Sequence, residues 1–181
     1  MTDKIFYTSV VIFAFLIILS NYTVQFPIND WLTYGALMYP ITFLLTDVLS
    51  ENYSKVEVLR VVKYGIVIAI VPTILIADWR IAFASIFAFI VTQTLDVNIF
   101  HYFKQKAQKL WWLRNNASTI ISQAFDTVIF FTLAFAWIKP PEVIIKLIIG
   151  DYMVKIVMAL LDTPFFYLIG IKFRSIFRQK A

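Results

Sequence analysis

Thr92-Gln93-Thr94-Leu95-Asp96-Val97-Asn98-Ile99-Phe100 returns later in the chain as Ser122-Gln123-Ala124-Phe125-Asp126-Thr127-Val128-Ile129-Phe130. Both copies read hydroxyl, Gln, small, apolar, Asp, two residues, Ile, Phe, and both lie inside hydrophobic stretches. On a helix, residues three and four apart share a face, so Gln93 with Asp96, and Gln123 with Asp126, present an amide beside a carboxyl. An Asp at bilayer depth costs about 2.5 to 3.5 kcal/mol on insertion scales, and such residues mark function. Two helices carrying these pairs can grip one small polar molecule between them.

The surrounding composition says which solvent those helices meet. Hydrophobic residues make up 61% of the 181, charged residues only 15%, and the mean hydropathy is +0.80. A soluble domain does not look like this, and the chain reads as one all-α polytopic membrane domain spanning residues 1–181. At about 20 apolar residues per crossing there is room for about six helices with short loops. Cysteine is absent, which excludes disulfides and thiolate metal sites.

Six spans are predicted, near Ile5 to Tyr22, Trp31 to Leu49, Val61 to Ala77, Arg80 to Phe103, Ser118 to Ile138 and Val143 to Ile171. The third is short, and Pro164 is the expected bend of the long sixth. Lys4, Lys55, Arg60, Lys63, Lys104, Lys106, Lys109, Arg114, Lys172, Arg174, Arg178 and Lys180 fall on the side of both termini, twelve of sixteen basic residues. Both termini are therefore expected in the cytoplasm. The net charge of +5 is a topology signal, and no nucleic-acid partner is expected.

With that topology, Asp47, Asp96, Asp126 and Lys155 fall near the midplane or in its cytoplasmic half, with Asp162 seven residues beyond Lys155. The plain alternative is that they bridge helices, as intramembrane polar residues often do for about 0.6 kcal/mol each. Four Asp and one Lys exceed what bridging needs, because one Asp neutralises Lys155 and the others still lack a partner. Trp111 and Trp112 beside Arg114 read as a headgroup anchor, and His101 as interfacial. Pro40 either kinks the second span or unwinds a turn whose carbonyls face a ligand.

Enzyme signatures are missing: there is no Gly-rich phosphate loop, His-Glu metal spacing or Ser-centred elbow, and Gly150-Asp151 lacks the partner motif of intramembrane aspartyl proteases. No cofactor, metal or catalytic residue is expected. A membrane-embedded substrate-binding subunit served by a separate ATPase has the same size and remains an alternative, with a small intramembrane enzyme behind it.

Further motifs carry a resemblance. Asn21-Tyr22-Thr23-Val24-Gln25-Phe26-Pro27, Gly35-Ala36 to Pro40, Thr46-Asp47, Arg80-Ile81-Ala82 with Ala84-Ser85, Gln93 with Leu95-Asp96-Val97, Trp111-Trp112-Leu113, Ala117-Ser118-Thr119, Asp126-Thr127, and Asp151-Tyr152 with Lys155 resemble the queuosine precursor transporters, or vitamin uptake transporter family, of the bacterial inner membrane. The resemblance covers residues 20 to 168. Many members carry a longer outer loop where this chain has only Ala77-Asp78-Trp79-Arg80.

The resemblance implies a multi-pass importer of a 7-deazaguanine for tRNA queuosine salvage: 7-cyano-7-deazaguanine (preQ0), 7-aminomethyl-7-deazaguanine (preQ1) or, in some members, queuine. Such a base offers two adjacent donors beside a carbonyl, which suit a carboxylate and an amide or Lys. Asp96, Asp126 and Asp47 are the expected acceptors. Gln93, Gln123 and Asn21 are adaptable partners, and Arg80 is either a guide at the outer mouth or a snorkelling anchor there. Lys155 is a donor to cargo or a counter-ion held by Asp162, Asp151 or Asp126. Phe100, Phe125 and Tyr152 are the expected walls. The bilayer is the other partner, and assembly as a homodimer stands open.

Overall fold

A computed structural model describes residues 1–29 and 32–173, so the expected start of the second span at Trp31, and Arg174, Arg178 and Lys180, lie outside the described residues. Nearly every described residue is helical. In order come α1 (Asp3–Thr23), a short antiparallel pair β1 (Pro27–Asn29) and β2 (Leu32–Thr33), α2 (Tyr34–Met38), α3 (Pro40–Asn52), α4 (Lys55–Ile76), α5 (Trp79–Lys106), α6 (Trp111–Phe135), α7 (Pro141–Phe166) and a wider π-type turn over Tyr167–Lys172. Four of these, α1, α4, α5 and α6, are long and apolar enough to cross a membrane.

Burial is the reverse of a soluble protein's. Val11, Phe15, Leu75 and Trp137 stand outward, while Thr42, Asp47, Gln93, Asp96, Ser118 and Gln123 are wholly enclosed. In water such a surface aggregates; in lipid it is the low-energy arrangement. Apolar packing holds one side of the bundle, where α1 and α4 meet through Phe13, Ile17, Val58 and Val61. Gly65 lets them approach, since a Cβ there meets Phe13 Cδ1 at 2.5 Å. The polar interior lies on the other side, among α3, α5, α6 and α7.

Several helix ends depart from the sequence expectation. The second span is broken in two because Pro40 has no N–H and cannot continue a helix through Tyr39. The break is a kink and not an unwound ligand-facing turn, since the Tyr39 carbonyl already accepts from the Thr42 N–H at 3.0 Å and Oγ1 at 2.7 Å. The third helix is not short. It starts at Lys55, where Ser54 and Glu57 form a reciprocal capping box, with Ser54 N donating to Glu57 at 3.1 Å.

The fifth expected span starts seven residues early, at Trp111. Trp111 turns inward, stacked on Phe166 with ring centroids 6.2 Å apart, so Trp112 alone of the pair keeps an outward position. In the last helix the α-helical turns continue through Pro164 and widen to π-type only at Tyr167.

Candidate functional site

Lys155 is the best guide to the site because a buried ammonium has to be answered. The spacing of four residues on α7 puts Asp151 in reach, and its Oδ2 is 2.7 Å from Lys155 Nζ. Asp126 on α6 supplies a second carboxylate at 3.1 Å, and Thr127 Oγ1 lies at 3.1 Å. Asp162 is not a partner of Lys155: seven residues along a helix is roughly 10 Å, and no unwinding at Pro164 shortens it. The Tyr39 hydroxyl donates to Asp126, Thr92 of α5 donates to the same oxygen at 3.1 Å, and the Tyr39 ring lies under Lys155 Nζ at 4.5 Å. Two carboxylates thus surround one ammonium, leaving the cluster formally one negative charge in excess.

This cluster floors a cleft with about 350 Å³ of empty space including its mouth. The cleft opens where α1 ends and α5 begins, away from the end rich in Lys and Arg. Ser20 and Asn21 of α1, Ser85 of α5 and the backbone-sized Gly35 line it, with Tyr39, Phe130 and Phe131 as walls. Gly35 is required here, because a Cβ would come within 2.8 Å of Val24 Cα. Larger grooves exist, such as one of about 1100 Å³ between α1 and α3, but Ile12, Leu16, Ile41 and Leu44 make it apolar and suited to lipid.

A second acidic group lies deeper, toward the basic end. Asp47 accepts from Thr119 at 2.9 Å and Ser118 at 3.4 Å, and its carboxyl is within hydrogen-bonding reach of Asp96. Gln93 donates to Thr42 Oγ1 at 3.0 Å and accepts from Thr46 at 3.2 Å. Below this group, Arg114 grips Glu51 through two bonds of 2.8 and 2.9 Å. Arg114, counted in the sequence only among the basic residues of one side, is thus buried in an ion pair, and Lys104 reinforces it through the Ser50 and Glu51 carbonyls at 2.6 and 2.7 Å.

The structure therefore gathers Asn21, Asp126 and Lys155 at the cleft, and Asp47, Gln93 and Asp96 at the deeper group. Gln123 is enclosed between the two levels. Arg80 stays at the N-terminal end of α5, paired with exposed Asp78 at 3.0 Å, and its bond holds that carboxyl below its ordinary range. The expected walls are elsewhere: Phe100 packs on Phe166, Phe125 faces outward, and the Tyr152 hydroxyl goes to the Ile120 carbonyl. Sequence reading missed Tyr39 and Phe131; the one available signal for Tyr39 was its place just before Pro40, where a kink aims a side chain inward.

The chain matches a family described as "Putative vitamin uptake transporter" over residues 33–78 and 71–169. A Bacillus subtilis (strain 168) protein named "Probable queuosine precursor transporter" is 32% identical, with 75% of this chain and 70% of the relative covered. The "Queuosine precursor transporter" of Escherichia coli (strain K12) is 28% identical over 78% of this chain and 75% of its own. A Haemophilus influenzae protein, "Probable queuosine precursor transporter", is 28% identical, covering 67% and 66%. No solved structure matches the chain.

Proposed function

The chain belongs to the vitamin uptake transporter family, and on that premise we propose that it imports a queuosine precursor, a 7-deazaguanine, across the bacterial cytoplasmic membrane. It is a transporter and not an enzyme. The observation that carries the reading is the Asp126–Lys155–Asp151 cluster at the floor of a cleft walled by Tyr39, Phe130 and Phe131, inside helices whose outer faces are apolar. In the proposed complex, Asp126 accepts the two adjacent donors of the base and Lys155 or Asn21 donates to its carbonyl. Tyr39 and Phe131 face the flat ring.

Six crossings accompany this reading. Beyond the four long apolar helices, α2 and α3 together run from residue 34 to 52, about 28 Å at 1.5 Å per residue. The sixth is α7, whose mid-helix charges Asp151 and Lys155 are buried against the bundle, while Glu142 and Lys146 near its start are exposed. Both termini then lie in the cytoplasm with the Lys- and Arg-rich turns, and the cleft opens outward. Lipid covers the outer faces, and each copy has its own complete cleft whether or not copies pair as a homodimer.

The test is genetic and chemical. A bacterium unable to make the precursor or to import it is supplied with 7-cyano- or 7-aminomethyl-7-deazaguanine, and its tRNA is digested and examined for queuosine. Expression of this chain is expected to restore queuosine; failure with both precursors, despite protein in the membrane, refutes the reading.

A further inference from the structure

Acceptors outnumber donors around Asp47 and Asp96. Both side chains are fully enclosed and their carboxyls are within hydrogen-bonding reach of each other. Thr46 has one hydroxyl proton and four oxygens around it: the Thr42 and Phe43 carbonyls at 3.2 and 2.9 Å, Gln93 Oε1 at 3.2 Å and Asp96 Oδ2 at 3.5 Å. Ser118 divides its proton between the Asn115 carbonyl at 3.1 Å and Asp47 Oδ1 at 3.4 Å. Thr119 gives its own to Asp47 Oδ2 at 2.9 Å, and Asp96 Oδ1 has no donor among the described residues.

The charged groups on the surrounding helices are engaged elsewhere. Glu51, one turn along α3, is held by Arg114 of α6, and the hydroxyl of Tyr39, just before α3, goes to Asp126. On α5, Lys104 donates to the Ser50 and Glu51 carbonyls, and His101 stands beyond Phe100. On α7, Lys155 lies with Asp126 and Asp151, and Asp162 is acidic itself. The first turns of α1 and α4 carry Asp3, Lys4, Lys55 and Glu57 at the membrane edge, Glu57 bound by the chain's amino terminus. Two touching carboxylates in a dry interior do not both stay ionised without a cation between them.

A second observation lies at the same level. Thr92 of α5 meets Asp126 of α6 at 3.1 Å, and the two helices run antiparallel across a short turn. That register brings Asp96 opposite Ser122 and Gln123. Both ends of the Gln123 amide and the Ser122 hydroxyl are buried without a partner among the described residues. A polar strip thus connects the carboxyl pair to the floor of the cleft.

We infer that Asp47 and Asp96 together hold one exchangeable proton, and that its passage inward drives import of the precursor by symport. This rests on the transport reading. On the outer side a carboxylate oxygen gains a proton from water and an O–H bond forms; on the cytoplasmic side, once the Glu51–Arg114 closure parts, that bond breaks and the proton leaves with one precursor. The neighbours that orient the pair are hydroxyl donors, a set suited to a carboxyl that gains and loses a proton.

The experiment uses the purified full chain in liposomes with 7-cyano-7-deazaguanine, whose neutral form is not itself drawn by a pH difference. With the membrane potential clamped and the interior one pH unit more alkaline, accumulation approaching about tenfold is expected, as one coupled proton allows, with acidification of a trapped dye. D47N and D96N are each expected to lose this accumulation while still exchanging internal for external precursor at equal pH. Wild-type exchange with no response to the pH difference, or accumulation driven instead by a sodium gradient, overturns the inference alone. Accumulation undiminished in both variants overturns it too. No exchange by the wild type under any gradient defeats the transport reading itself.

Discussion

Two acidic clusters sit about one to two helical turns apart in the same bundle, and they are answered differently. At the cleft, Asp126 and Asp151 share the ammonium of Lys155. Deeper in, Asp47 and Asp96 have only hydroxyls and each other. A lysine fixes charge in place and makes a permanent donor, which suits recognition of a ligand. A pair without a cation stays neutral enough to remain buried only by holding a proton, which suits a group that changes state. On the proposed reading the same residue type serves two ends, decided by what α7 brings to one level and withholds from the other.

The strongest way to break this contrast is to remove the cation. Lys155→Met leaves Asp126 and Asp151 facing each other in a dry interior, and loss of about 3 to 5 kcal/mol of stability is expected, seen as little folded protein in the membrane. Adding Asp151→Asn is expected to recover expression but not uptake. Recovery of both makes Lys155 a structural counter-ion only and removes the difference between the clusters.

At the end rich in Lys and Arg, Arg114→Ala strands Glu51 and is expected to cost a similar about 3 to 5 kcal/mol. Arg114→Ala with Glu51→Gln restores most of the melting temperature in detergent if that closure is a simple ion pair. Next in size, Gly35→Ala narrows the cleft mouth against backbone that cannot yield, with an expected cost of about 1 to 3 kcal/mol and slower uptake. Gly65→Ala is the control, since it meets the side chain of Phe13 far from both acidic groups, and its uptake per folded molecule should be unchanged.

The smallest effect belongs to Arg80. Its pair with Asp78 is exposed and local, so Arg80→Gln is expected to change the uptake rate by less than about twofold at ordinary salt. A larger change at low ionic strength alone gives Arg80 the steering role expected from its place at the outer mouth.

Much of the scaffold was legible from residue type and spacing. Apolar runs gave α1 and α5 to within a few residues, and the four-residue spacing already offered Asp151 to Lys155. The contacts that build the site were not legible to the same degree. Glu51 and Arg114 are far apart in the chain, and no local pattern announces a pair made by tertiary packing. The repeated motif misled in an instructive way: its copies look equivalent, but α5 and α6 run antiparallel, so the hydroxyl of one copy lies level with the Asp of the other. Thr92 therefore meets Asp126 near α7, while Asp96 is turned toward α3. The Ser54 capping box was present in the sequence, and it alone accounts for the early start of α4.

The contrast between the two clusters is tested most directly by binding, apart from any gradient. Calorimetry with 7-cyano-7-deazaguanine compares the purified wild type, Asp126→Asn and Asp96→Asn. Replacing one acceptor oxygen by a donor at the cleft is expected to weaken binding roughly tenfold to a hundredfold, the size of a hydrogen bond to a charged group. Asp96→Asn is expected to bind within about threefold of the wild type, because its carboxyl lies outside the cleft. Equal weakening in both variants, or full affinity in Asp126→Asn, contradicts the division of the two acidic clusters into a cargo site and a proton site.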